Sequence, residues 1–139
     1  NADIEAGGQR PAEELLAWFE RSAAELDQGF DSLTDAQWDH PVVTAQGRTV
    51  PASESPWMRT REVMVHAVDL DNGVTFDDLP ADFLAALAEE IRAKRAASGH
   101  EVPEVSGPDA QVAAWLAGRP HHDVVTADGA PAPDLPAWL

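Results

Sequence analysis

The sequence predicts a mainly α protein, an incomplete helical bundle over residues 1–97 followed by a small, reduced α/β part over residues 98–139. Three observations carry this. Apolar residues recur every three or four positions in three long segments, opened by Pro11, by Ser55-Pro56 and by Pro80. From His100 onward the texture changes to Pro, Gly and short elements. Finally, three long helices do not close an antiparallel bundle, because each apolar stripe needs facing helices to cover it. The missing cover is expected upstream of Asn1, in keeping with a chain that does not begin with Met.

Residues 1–10 carry the adjacent Gly7 and Gly8 and read as a lead-in. In the first long helix Leu15, Phe19, Ala23, Leu26, Phe30 and Leu33 form one stripe expected to be buried, with Gly29 weakening the last turn. Thr34-Asp35 caps a short turn through Trp38, which His40-Pro41 ends. The segment VVTAQGRTV, residues 42–50, has two β-prone triplets about Gln46-Gly47 and predicts a hairpin or an extended loop. After the central helix, residues 76–79 read as a linker. Pro80 then opens a third helix with Phe83, Leu84, Leu87, Ala88 and Ile91 inward. Arg92, Lys94 and Arg95 near its end complement the helix dipole. A short helix follows over residues 108–116 with Val112, Trp115 and Leu116 inward, then a strand over residues 124–126 and a turn at Asp128-Gly129. The tail APAPDLPAWL is expected to be extended, with Trp138-Leu139 docked on the body.

The central helix, from Ser55 toward a stop at Gly73, holds the candidate chemistry. Trp57, Met58, Val63, Met64, Val65, Ala67, Val68 and Leu70 occupy nearly its whole circumference, the pattern of a helix packed on most sides. Its polar residues therefore need a reason. Glu62 and His66 are four apart and share one face, with Asp69 three residues further on, so the first two can bind one ion together or form a simple ion-paired couple. Zinc accepts carboxylate oxygen and imidazole nitrogen, and a catalytic site takes three protein ligands, so a third donor must come from elsewhere. His40, His100, His121 and His122 are the candidates within the chain, and each reads as a loop histidine. Arg59 and Arg61 read as surface ion-pairing residues beside the site, with attraction of an anionic cofactor or substrate the alternative for Arg59, and Trp57 and Met58 read as core.

Composition excludes some partners. With 9 Lys+Arg against 25 Asp+Glu and a net charge of −16, nucleic acid and anionic membrane surfaces are unsuitable. No run has the length of a membrane span and no signal peptide is visible, so the default location is cytoplasmic. None of the 139 residues is cysteine, so thiol chemistry requires a thiol brought by a cofactor.

At WMRTREVMVHAVDL, preceded by TAQGRTVPASES and followed by VAAWLAGRP and the final WL, the sequence resembles the mycothiol-dependent maleylpyruvate isomerase family, from the first long helix to the C-terminus. The resemblance implies a four-helix, DinB-like bundle with zinc held by an early histidine and by the Glu and His of an E-x-x-x-H helix, which match Glu62 and His66. The early histidine, two bundle helices and one functional arginine would lie upstream of Asn1. Residues 98–106 are shorter than the family's equivalent, which implies a reduced C-terminal domain. The arginine of the family's A-G-R segment matches Arg119, which becomes a candidate catalytic clamp for a carboxylate; without the resemblance it reads as a helix-end residue beside Gly118.

The implied reaction is cis–trans isomerisation of maleylpyruvate to fumarylpyruvate in aromatic-compound degradation. It requires temporary loss of double-bond character, which addition of a thiolate achieves, and the implied cofactors are zinc and mycothiol. Partners are then a small-molecule substrate and the thiol cofactor, with the complete protein a monomer. The rival readings are a related metal- and thiol-dependent transferase or detoxification enzyme, and a non-catalytic fragment lacking one metal ligand.

Overall fold

The helix formers Ala2, Glu5 and Ala6 outweigh the two glycines behind them, so α1 runs over Ala2–Gly8 where a lead-in was expected. The structure, a computed structural model, describes residues 2–138 and the side-chain surroundings from residue 4 onward. Leu139, expected to dock beside Trp138, lies outside the described residues. The chain divides into two compact units, Asn1–Ser55 and Pro56–Leu139.

In the first unit α2 spans Ala12–Asp31, entered through Pro11 and continuing through Gly29. Its expected buried stripe is only half-buried at Leu15, Ala23, Leu26, Phe30 and Leu33, and Phe19 is exposed, as are Leu16 and Trp18. No residue of α2 is buried, so the stripe written in the sequence has no complete cover among the described residues. The short α3, Asp35–Trp38, begins where Gln37 Oε1 accepts from the Thr34 N–H and hydroxyl, at 2.9 and 2.8 Å, and Trp38 meets the Phe30 ring at 5.5 Å. A hairpin follows, with β1 at Pro41–Val43 antiparallel to β2 at Thr49–Pro51 and Val42 opposite Val50. A 3₁₀ turn, Ala52–Glu54, leads to the central helix.

The second unit is built on α4, Ser55–Asp69, and α5, Ala81–Ala97, with α6 at Asp109–Leu116. Ser55 is the first helical residue of α4. The helix ends four residues before Gly73, because Asp71 adopts the left-handed conformation (φ 49°) that short polar side chains tolerate. Residues 76–78, expected as linker, form a 3₁₀ turn that buries Phe76. The core joins Val65 of α4, Phe76, the α5 face of Phe83, Leu84, Leu87 and Ile91, and Trp115 and Leu116 of α6. Short strands β3, Val105–Ser106, and β4, Val125–Thr126, pair antiparallel, and the turn at Asp128-Gly129 places Gly129 at φ 82°. The mainly helical class with a few short strands is thus the observed one. No helix among the described residues is long and apolar enough to cross a membrane.

Three expectations about α4 and α5 change. Only Arg61 and Val65 of α4 are buried, while Val63 and Leu70 are exposed, so the helix is not enclosed on most sides. Arg61, expected at the surface, is 6% exposed. Its Nη1 donates to Glu90 Oε1, and its guanidinium lies 5.2 Å from the centre of the Trp138 ring. Glu90 also accepts from Trp57 Nε1 at 2.7 Å and pairs with Lys94 at 2.6 Å. Arg95, expected only as a dipole-compensating cation, is buried and donates from Nη2 to the carbonyls of Leu116 and Pro136, at 2.9 and 2.7 Å. A hydrophobic pattern could not have revealed this, because main-chain carbonyls are the partners.

Burial alone would raise the Glu90 carboxyl's pKa; hydrogen bonds from Lys94 and Trp57 and the charge of Arg61 outweigh it and hold the pKa below the usual 4.5. The stability this contributes is present above the ordinary carboxylate range and is lost as pH falls through the lowered value. Glu90→Ala strands the buried Arg61 charge and should cost about 3 kcal/mol in denaturant unfolding at pH 7. The gap from the parent should close as the pH is taken below the carboxylate range; a gap independent of pH would remove Glu90 ionisation from the account.

Candidate functional site

The last turns of α4 and the C-terminal end of α6 bring four polar side chains into one line. Helical spacing places Glu62, His66 and Asp69 on one face of α4. Glu62 Oε2 lies 3.2 Å from His66 Nε2, and Asp69 Oδ2 lies 2.8 Å from His66 Nδ1. Arg119 closes the line from the other side, donating from Nε to Asp69 Oδ1 at 3.1 Å and from Nη2 to Oδ2 at 2.8 Å. This is a paired fork on one carboxylate.

Arg119 reaches Asp69 because of how α6 ends. The Gly118 N–H donates to the Trp115 carbonyl at 2.9 Å and the Arg119 N–H to the Ala114 carbonyl at 3.0 Å, the bond pair of a Schellman stop. Gly118 sits at φ 67°, and a Cβ there would lie 2.6 Å from the Pro136 carbonyl oxygen, so only glycine admits the tail at this point. The tail in turn fixes the guanidinium: Arg119 Nη1 donates to the Trp138 carbonyl and, at 2.7 Å, to that of Ala117. The side chain is 10% exposed.

The electrostatics order the line further. The Arg119 hydrogen bond is the main cause holding the Asp69 carboxyl below its usual range, opposed by burial and assisted by His66. Asp69 is therefore an acceptor facing His66 Nδ1, and a neutral imidazole can place its single ring proton either on Nδ1, toward Asp69, or on Nε2, toward Glu62. In the neutral Nδ1–H form the Nε2 lone pair faces Glu62 Oε2 across 3.2 Å. In that form the two acceptors repel unless a positive charge lies between them, either a second ring proton or a cation, whereas the Nε2–H form donates to Glu62 directly. Adjacent donors of a tetrahedral zinc ion with bonds of about 2.0–2.2 Å lie about 3.3–3.6 Å apart, so this pair has the donor types of two zinc ligands and a separation just short of theirs.

Three ligands do not converge. Among the described residues no group of three His, Cys, Asp or Glu side chains is arranged to hold a metal. The physical reason is that His66 stands between its two carboxylates, with one at each ring nitrogen. Glu62 and His66 are each 48% exposed, so they lie on an open face rather than in the enclosed pocket that an apolar helix suggests. Of the other histidines, His40 and His100 are exposed, and His122 is exposed beside Asp123. His121 is half-buried, with Nδ1 at 3.2 Å from the Arg119 carbonyl. His121 and His122 line a cleft of about 640 Å³ together with Asp69, Arg119, Val68, Phe76 and Gln111. The sequence offers no signal for the Trp138 carbonyl as a partner of Arg119, since the contact is made by main chain.

A family model described as the mycothiol maleylpyruvate isomerase N-terminal domain matches residues 1–71. The chain is similar to the crystal structure of the mycothiol-dependent maleylpyruvate isomerase, with 36% identity and a TM-score of 0.86 over 99% of this chain. A variant of that enzyme, with one histidine replaced by alanine, matches at a TM-score of 0.85 and the same identity. The chain spans 66% of the length of each. No curated protein matches it.

Arg119→Ala removes the main cause of the low Asp69 pKa. The Asp69 carboxyl, followed by carbon NMR, should then titrate closer to the ordinary 3.8 than in the parent. An unchanged titration would mean that the fork is not maintained in solution.

Proposed function

The chain belongs to the mycothiol maleylpyruvate isomerase family, and on that premise we propose that it carries part of a zinc- and mycothiol-dependent site for cis–trans isomerisation of maleylpyruvate to fumarylpyruvate, in the breakdown of aromatic compounds. The observation that carries this reading is the 3.2 Å approach of Glu62 Oε2 to His66 Nε2, with the other imidazole nitrogen held by Asp69. In this reading residues 1–97 are the metal-binding helical part, and residues 98–139 are the smaller part that contributes Arg119. The third zinc ligand is supplied by a residue other than these two.

Glu62 and His66 would hold the metal, one oxygen and one nitrogen donor. When bound, mycothiol supplies the thiol that none of the 139 residues carries, and zinc lowers the pKa of that thiol so that thiolate is available at neutral pH. The chain's own residues do the rest. Asp69 keeps the proton of His66 on Nδ1 and leaves Nε2 as a donor atom. Arg119 offers guanidinium N–H groups to a substrate carboxylate, which would share the fork now made with Asp69. A local cation matters here, because a chain of net charge −16 repels an anionic substrate at long range. The protein would work in the cytoplasm on small molecules, and as a monomer.

The test combines metal analysis with turnover of maleylpyruvate in the presence of mycothiol. Glu62→Ala and His66→Ala should lower zinc content and fumarylpyruvate formation together, whereas Arg119→Ala should lower turnover at least tenfold while retaining most of the zinc at saturating metal. Full zinc content in both ligand variants would reject the metal assignment. Parent-level turnover in Arg119→Ala would return that arginine to its role at the helix end.

A further inference from the structure

Asp69 makes more contacts than a helix-surface aspartate needs. Its Oδ2 faces His66 Nδ1 at 2.8 Å and Arg119 Nη2 at 2.8 Å, while Oδ1 takes Arg119 Nε at 3.1 Å. The guanidinium that grips it is itself held by the carbonyls of Ala117 and Trp138. A carboxylate clamped in this way has little rotameric freedom, and it offers the imidazole one fixed acceptor. An unconstrained neutral imidazole prefers the proton on Nε2, which would point a hydrogen rather than a lone pair at Glu62.

We propose that Asp69, clamped by the Arg119 fork, is a positioning residue that holds the neutral His66 in its Nδ1–H form, with Nε2 turned to Glu62 Oε2, so that the two donor atoms are set for a divalent cation before it arrives. This rests on the reading that Glu62 and His66 hold the metal. It adds that the order of the pair comes from a residue that does not touch the ion. Loss of such a hydrogen bond typically costs 10- to 100-fold in metal affinity. A surface aspartate that only pairs with Arg119 would leave both the tautomer and the affinity unchanged.

The experiment uses the whole chain labelled with ¹⁵N-histidine, and reads the His66 ring shifts in the absence of metal at a pH where the imidazole is neutral. The parent should show the Nδ1–H tautomer and Asp69→Ala the Nε2–H tautomer, with unchanged far-UV circular dichroism. In parallel, zinc affinity is measured by competition with a chromophoric chelator. Asp69→Ala should bind at least tenfold more weakly than the parent, and Asp69→Glu should recover part of the difference. A His66 tautomer that is the same in parent and Asp69→Ala overturns the proposal, and so does zinc affinity unchanged in Asp69→Ala while Glu62→Ala abolishes binding. If Glu62→Ala and His66→Ala bind zinc as the parent does, the metal assignment fails. The tautomer readout, which needs no metal, still decides whether Asp69 positions the ring.

Discussion

The hydrogen-bonded carboxylate of Asp69 is the constraint on which the candidate site depends. It touches both the α4 face carrying Glu62 and His66 and the arginine delivered by the end of α6. Because it only accepts, it takes the Arg119 fork and offers His66 Nδ1 an acceptor. With the His66 proton on Nδ1, as proposed, a nitrogen lone pair faces a second carboxylate across 3.2 Å. Such an arrangement is complete only with a positive charge between the two atoms.

The rest of the second unit explains why Asp69 meets this arginine at all. Gly118 turns the chain at the end of α6 and lets the tail pass within the space that a methyl group would fill. The tail is then gripped by three arginines from three different elements: Arg95 on the Pro136 carbonyl, Arg119 on the Trp138 carbonyl, and Arg61 over the Trp138 ring. Arg61 and Arg95 are buried in a chain with few cations, so they serve the docking of the tail rather than the general charge balance. The orientation of Arg119 is thereby tied to residues nearly at the C-terminus.

Much of this was legible in the sequence where a local rule applied. Three- and four-residue spacing placed α2, α4 and α5, the Gln46-Gly47 turn placed the hairpin, and the Glu62–His66–Asp69 spacing put three polar groups on one face. The failures share a cause. Residues 1–10 looked like a lead-in because Gly7-Gly8 was weighed above the helix formers before it, yet the glycines lie at the end of α1, where they cost least. α4 looked enclosed because its composition is apolar all round, but apolar residues at the surface are ordinary and composition does not say which face is covered. Arg61 and Arg95 were read as surface cations because their partners, Glu90 and two main-chain carbonyls, lie 29 or more and 21 or more residues away in sequence. The Arg119–Asp69 fork joins residues 50 apart. Only the resemblance to a family pointed to Arg119.

The most direct test of the account is anomalous diffraction at the zinc edge from crystals of the protein grown with zinc. The account predicts a peak between Glu62 Oε2 and His66 Nε2, about 2.0–2.2 Å from each, with His66 Nδ1 still on Asp69 and Asp69 still in the Arg119 fork. Zinc located instead on the His121-His122 loop, with Glu62 and His66 apart, would contradict it.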